Sequence, residues 1–246
     1  MKKLLLVFVA VVLASVAAYA VTAPSSVNRV PAVPHQTKQI QSFNSRQLSI
    51  TDPASNWVVA NKQHALSPTS YAPTDLVTPS VPLRVPGNPT MQLRSETAAA
   101  VERMFAAAQA DGIQLMVSSG YRSYDYQVSL YDGYVSSVGR AQADIQSARP
   151  GYSEHQTGLA FDAEPTSRTC ELEQCFADTP EGKWTSAHAY SFGFILRYTP
   201  GDVSVTGYES EPWHFRYVGT ALSGEMHKRG VTTLERFFTV SGGSKY

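Results

Sequence analysis

The chain has 246 residues, 43% of them hydrophobic and 16% charged, with 20 basic residues balancing 20 acidic ones. That length and apolar content suit one sizeable domain with its own core, alone or with a tail. A formal net charge of zero argues against a nucleic-acid partner and against an acidic tail.

Lys2 and Lys3 precede an apolar run from Leu4 to Ala14, and Ala18-Tyr19-Ala20 offers small residues for cleavage. Residues 1–20 therefore read as a signal peptide cut after Ala20, or as an N-terminal anchor if the run is kept. Export to the periplasm or cell surface follows, with membrane contact only through a retained leader. Residues 21–56 are rich in Ser, Thr, Pro, Asn and Gln and read as a flexible tether. Residues 57–92 open on the apolar cluster Trp57-Val58-Val59 and continue as a proline-dense arm expected to lie on the main domain.

That domain spans residues 93–240, ahead of a tail at 241–246. Val101, Met104, Phe105 and Ala108 recur at helical spacing and predict a helix over Ser95–Ala110, capped near Gly112. "IQLMVSSGYRS" reads as a strand running into a turn at Gly120, and Tyr124–Val135 as a second helix. "GLAFDAEP", "GFILRYT" and "EPWHFRYVG" read as strands, with a helix around Lys183–Ser191 between the first two and a short one in "TTLERFF" at the end. This mixture, without regular βαβ alternation, predicts an α+β fold. Cys170 and Cys175 in "CELEQC" read as a disulfide closing a small surface loop, because no second Cys pair exists to complete a zinc-thiolate site.

The chemistry concentrates in "GYSEHQTGLAFDAEP" and "EPWHFRY". A turn at Gly158 followed by a strand can swing His155 and Asp162 toward one point. On that strand Asp162 shares a face with Ala160, while Leu159 and Phe161 point the other way. His214 would complete the three N/O ligands that a catalytic zinc wants beside an open position. Glu211 stands three residues earlier, on the opposite face of a regular strand, so Pro212 would have to introduce a bend or bulge. Taken singly, each residue has a plainer reading: a structural histidine, a strand-end acceptor, a surface glutamate. His35, His64, His188 and His227 keep that plainer reading.

Together these segments resemble the zinc D-alanyl-D-alanine carboxypeptidases of the VanY type and the related L,D-carboxypeptidases of bacterial cell walls. Ser153, His155, Gly158 and Asp162 fill the family's Ser-x-His-x-x-Gly-x-x-x-Asp motif, and Glu211 and His214 its Glu-x-x-His. "SGYRSYDYQ", "ARPGYSEHQTGLAFD", "GFILRYTPG" and "TGYESEPWHFRYVG" also follow in family order, over roughly residues 57–240. The resemblance implies a small, mainly antiparallel sheet flanked by helices, shared with hedgehog signalling domains. It implies that His155, Asp162 and His214 hold zinc, that Glu211 is the general base and that Arg122 faces the scissile carbonyl. Gln127 and Ser153 match substrate-contacting positions, and Trp213 beside His214 is expected to wall the site. The implied substrate is the peptidoglycan stem peptide, trimmed of its terminal D-alanine by a monomer. An endopeptidase and a zinc-stabilised module without activity are the competing readings. The presence of both Glu211 and Arg122 favours the enzyme.

Overall fold

Phe161 and Phe215 are partners on adjacent strands and stack at 5.8 Å between ring centroids, which decides the dry side of the central sheet. The structure, a computed structural model, describes residues 43–246. The expected leader and most of the expected tether lie outside the described residues. In chain order the strands are β1 (Leu76–Val77), β2 (Leu93–Arg94), β3 (Leu115–Ser119), β4 (Ala160–Pro165), β5 (Phe194–Tyr198) and β6 (Glu211–Tyr217). The helices are α1 (Ser95–Ala110), α2 (Tyr124–Val138), α3 (Arg140–Gln146), α4 (Pro180–His188), α5 (Val203–Thr206), α6 (Thr220–Arg229) and α7 (Leu234–Phe238).

β3, β4, β6 and β5 form an antiparallel sheet in that spatial order, and β1 and β2 make a separate two-stranded ladder. Side chains alternate between faces along a strand. Phe161 and Phe215 thus turn together toward α1 and meet Phe105 and Phe194 with ring separations of 6.0 and 5.2 Å from Phe161. α1 answers with Val101, Met104, Phe105 and Ala108, all buried on one stripe. Its end is a Schellman turn, in which Ile113 N donates to Ala108 O and Gly112 N to Gln109 O, with Gly112 at φ +79°.

The proline-dense arm lies along the edge of β3. Arg84 N donates to Val117 O and Val117 N to Pro82 O, so backbone groups on an otherwise open edge are paired. Residues 43–56 are seated on the domain, in contrast to the flexible tether expected from the composition of residues 21–56. Phe43 stacks on Trp57 at 5.6 Å, and Ile50 joins a second apolar cluster with Leu222, Met226 and Leu234. Two apolar anchors are enough to seat a polar stretch.

The helices expected at Tyr124–Val135 and Lys183–Ser191 run over Tyr124–Val138 and Pro180–His188, the latter followed by a 3-10 turn. α3, α5 and α6 were not expected. α6 has only Leu222 and Met226 as buried apolar residues, one turn apart, too sparse a stripe to read.

Replacing Phe161 with alanine removes the ring shared by three aromatic contacts at the sheet–helix interface. The expected loss is about 3–5 kcal/mol of unfolding free energy, measured by urea denaturation.

Candidate metal centre and catalytic cleft

Gly158 is the joint on which the site turns. It ends a 3-10 turn over Glu154–Thr157 with φ +67°, a conformation that favours glycine. A Cβ there would also lie 3.0 Å from both Arg94 Cγ and Leu76 Cδ2. The chain leaves this turn directly into β4, so His155 on the turn and Asp162 on the strand face the same space. Asp162 and His214 are direct cross-strand partners, and partners in register share a face.

The i, i+3 problem posed by Glu211 and His214 is solved by a bulge. Phe215 pairs with Leu196, but Glu211 pairs with Tyr198, so three residues of β6 oppose one of β5. The bulged segment carries Pro212 and returns Glu211 to the face of His214. Glu211 Oε2 then lies 3.3 Å from His214 Nδ1.

His155, Asp162 and His214 are all buried, and one potential ligand atom from each lies within 4.8 Å of the others. Asp162 Oδ1 sits 3.4 Å from both His155 Nε2 and His214 Nδ1. Each imidazole has its other nitrogen engaged: His155 Nδ1 lies 2.7 Å from Gly120 O, and His214 Nε2 3.3 Å from Glu154 Oε2. The nitrogens left facing Asp162 are therefore the lone-pair ends. His155 Nε2 and Asp162 Oδ1 have no hydrogen-bond partner although both are buried. Buried polar atoms without partners are rare, and a divalent cation satisfies both.

The electrostatics agree. Burial, reinforced by the nearby Arg122, pulls the His155 imidazole down to about 4, so it is neutral and able to ligate. Burial alone would raise the Asp162 carboxyl, but the two histidines hold it below the usual carboxylate range. Burial opposes protonation of His214, yet Asp162, Glu154 and Glu211 together push its pKa upward. Three carboxylates around one imidazole call for positive charge. Two neutral imidazoles with a carboxylate are a donor set that suits zinc.

Arg122 lies in the turn between β3 and α2, where Ser123 caps the helix by accepting from Tyr126 N. Its backbone N donates to His155 O, and its Nε is buried without a partner at the cavity wall. Gly120, two residues earlier, has no room for a side chain, because a Cβ would lie 2.5 Å from Gln92 O. The cavity is about 150 Å³ and is bordered by Arg122, Ser153, Glu211 and Trp213 besides the three buried ligands. Gln127 stands behind this wall rather than in it. It is buried, and its amide donates to Ser147 Oγ and Ala148 O, two residues that border the cavity.

Sequence reasoning missed the layer beneath His214. Glu154 Oε1 accepts from Arg197 Nε at 2.8 Å and Arg216 Nη1 at 2.9 Å, while Arg197 also forms a two-pronged pair with Glu235 at 2.9 and 2.7 Å. All four are buried. Burial works against the charged form of Glu154, but Arg197 and Arg216 hold its carboxyl far below the usual range. The available signal was an arginine inside each apolar strand, in "FILRY" and "WHFRY". Cys170 and Cys175 are joined in a disulfide.

Residues 90–220 match the family model described as VanY, D-alanyl-D-alanine carboxypeptidase. The chain is 42% identical over 191 residues to the putative carboxypeptidase YodJ of Bacillus subtilis (strain 168), covering 77% of this chain and 69% of that one. Among solved structures, the LdcB LD-carboxypeptidase superposes with a TM-score of 0.72 at 42% identity, covering 77% of this chain and 89% of that one. A mutant of the vancomycin-resistance D,D-pentapeptidase VanY in complex with Zn(II) gives a TM-score of 0.60 at 29% identity, covering 74% and 97%.

Glu154→Gln should weaken zinc binding about 10- to 100-fold through the lost support of His214. Competition titration against a chromophoric chelator measures this, with circular dichroism confirming the fold.

Proposed function

Because the chain belongs to the VanY family of D-alanyl-D-alanine carboxypeptidases, we propose that it is an exported zinc carboxypeptidase that removes the terminal D-alanine from peptidoglycan stem peptides. The observation that carries this reading is the convergence of His155, Asp162 and His214, with Glu211 Oε2 3.3 Å from His214 Nδ1 and Arg122 on the same cavity. Export rests on the leader-like residues 1–20.

His155 Nε2, Asp162 Oδ1 and His214 Nδ1 would hold the ion. Zinc there supplies Lewis acidity, polarising a carbonyl and acidifying water. Glu211 takes the proton of the attacking water and returns it to the departing nitrogen, the two halves of general acid–base work. Its place on the bulge puts the carboxylate at the cavity wall, partly exposed, where water can reach it. Arg122 Nε, buried and unpaired, is a preorganised donor for the developing oxyanion. Ser153 and Trp213 line the cavity and would contact the peptide. Gln127 acts one step back, fixing the Ser147–Ala148 wall.

A second reading within the same chemistry concerns the bond cut. The LdcB structure, named an LD-carboxypeptidase, shares 42% identity with this chain against 29% for the D,D-pentapeptidase VanY. That difference favours a tetrapeptide ending in an L,D bond over a pentapeptide ending in D-Ala-D-Ala.

Incubating purified pentapeptide and tetrapeptide muropeptides with the protein should release D-alanine from one of them, detected by mass spectrometry and abolished by a chelator. Glu211→Gln should keep zinc and lower turnover at least about 100-fold, whereas His214→Ala should lose both zinc and turnover. Wild-type turnover by Glu211→Gln would remove the base assignment.

A further inference from the structure

The loop closed by Cys170 and Cys175 is held in an unfavourable shape at the mouth of the cleft. Arg168, Cys170 and Leu172 adopt left-handed backbone conformations, with φ of +59°, +59° and +49°, although none is glycine. Two polar anchors hold the distorted segment, one within it and one just after it. Glu171 pairs with Arg84, which also reaches Ser118 Oγ at 3.2 Å and Glu164 at 3.6 Å. Gln174 Nε2 donates to the carbonyl of Ser210, the residue before Glu211. Between these anchors Leu172 keeps a 36% exposed side chain. That side chain borders both the catalytic cavity and a neighbouring groove of about 380 Å³. Cavity and groove share Tyr134, Gln146, Leu172, Glu211 and Trp213, so they are continuous past the candidate base.

A carboxypeptidase releases one residue on one side of the scissile bond and must accommodate the whole remaining chain on the other. The charges set the direction of that chain. Arg122 stands at the catalytic cavity, while Glu173 and Glu209 line the groove. Among the described residues the groove carries three carboxylates, Glu173, Glu209 and Glu211, and no basic residue, so a free C-terminal carboxylate is repelled from it. We propose that the groove receives the peptide segment upstream of the scissile bond, and that Leu172, presented by the disulfide loop, is a specificity-determining residue for peptide length. Leu172, Trp213 and Tyr134 supply apolar surface for the peptide body. The disulfide keeps the left-handed segment from relaxing and drawing Leu172 away. This inference rests on the peptidase reading above and adds a subsite to it.

The test compares the muropeptide that the zinc-loaded wild type cleaves with its own N-acetylated C-terminal tripeptide. Leu172→Ala, and separately Cys170→Ser/Cys175→Ser, should lower kcat/KM for the long peptide about tenfold, the effect of lost apolar contact in a pocket. The loss should appear in KM rather than kcat, so that the ratio of long to short kcat/KM falls by a similar factor. Zinc content and thermal unfolding establish that each variant is folded. Leu172 is half-exposed, so its truncation decides the matter if the double cysteine variant does not fold. A ratio unchanged in folded variants overturns the subsite while leaving the peptidase in place. Failure of the wild type to cleave either peptide overturns the peptidase reading itself.

Discussion

Glu154 accepts hydrogen bonds from two arginines shut off from solvent, and the imidazole of His214 rests on the same carboxylate. Removing ions from water is expensive unless every charge is matched and hydrogen-bonded. Here the matching runs through Glu235, Arg197, Glu154 and Arg216, and on to the backbone carbonyls of Asn56 and Val58. The network thus ties the segment around Asn56 and Val58, strands β5 and β6, and α7 to one histidine of the metal centre. A side chain held from several directions cannot rotate, and a ligand that cannot rotate is already in place before any ion arrives.

The rest of the domain reads as support for that polar layer. One face of the sheet is aromatic and meets α1, and the other carries Asp162 and His214 toward the cavity. Two irregularities convert a regular sheet into a site. The left-handed Gly158 turns a helical loop into a strand within two residues, and the β6 bulge folds Glu211 back onto the face of His214. Neither changes the core, which is why catalytic geometry and packing coexist on four short strands.

Much of this was legible from residue order because it follows simple periodicities. α1 announced itself through four apolar positions at helical spacing and a glycine at the far end. The candidate metal centre was legible only because two motifs together resemble a known family, each residue alone having a plainer reading, and the bulge was legible through Pro212, which cannot donate to a ladder. The buried arginines were not legible, since a lone charge in a sequence looks the same whether it faces water or a carboxylate. Gln127 was similarly opaque: its residue type fits substrate contact, but its position behind Ser147 is a matter of three-dimensional depth. The seating of residues 43–56 was hidden by composition, because Phe43 and Ile50 are two apolar residues among many polar ones.

The crossing of two chain segments at Gly120 bears on how such domains can be recombined. Gly120 N donates to Thr90 O and Tyr121 N to Gln92 O, so the turn that carries Arg122 is moulded against the end of the proline-dense arm. The arm, expected from sequence only to lie on the main domain, is the floor on which an arginine of the cleft stands. A chimera that exchanged residues 115–165 between relatives without residues 89–93 would inherit the right functional groups on a mismatched footing. The heritable unit of this cleft is therefore larger than its motifs.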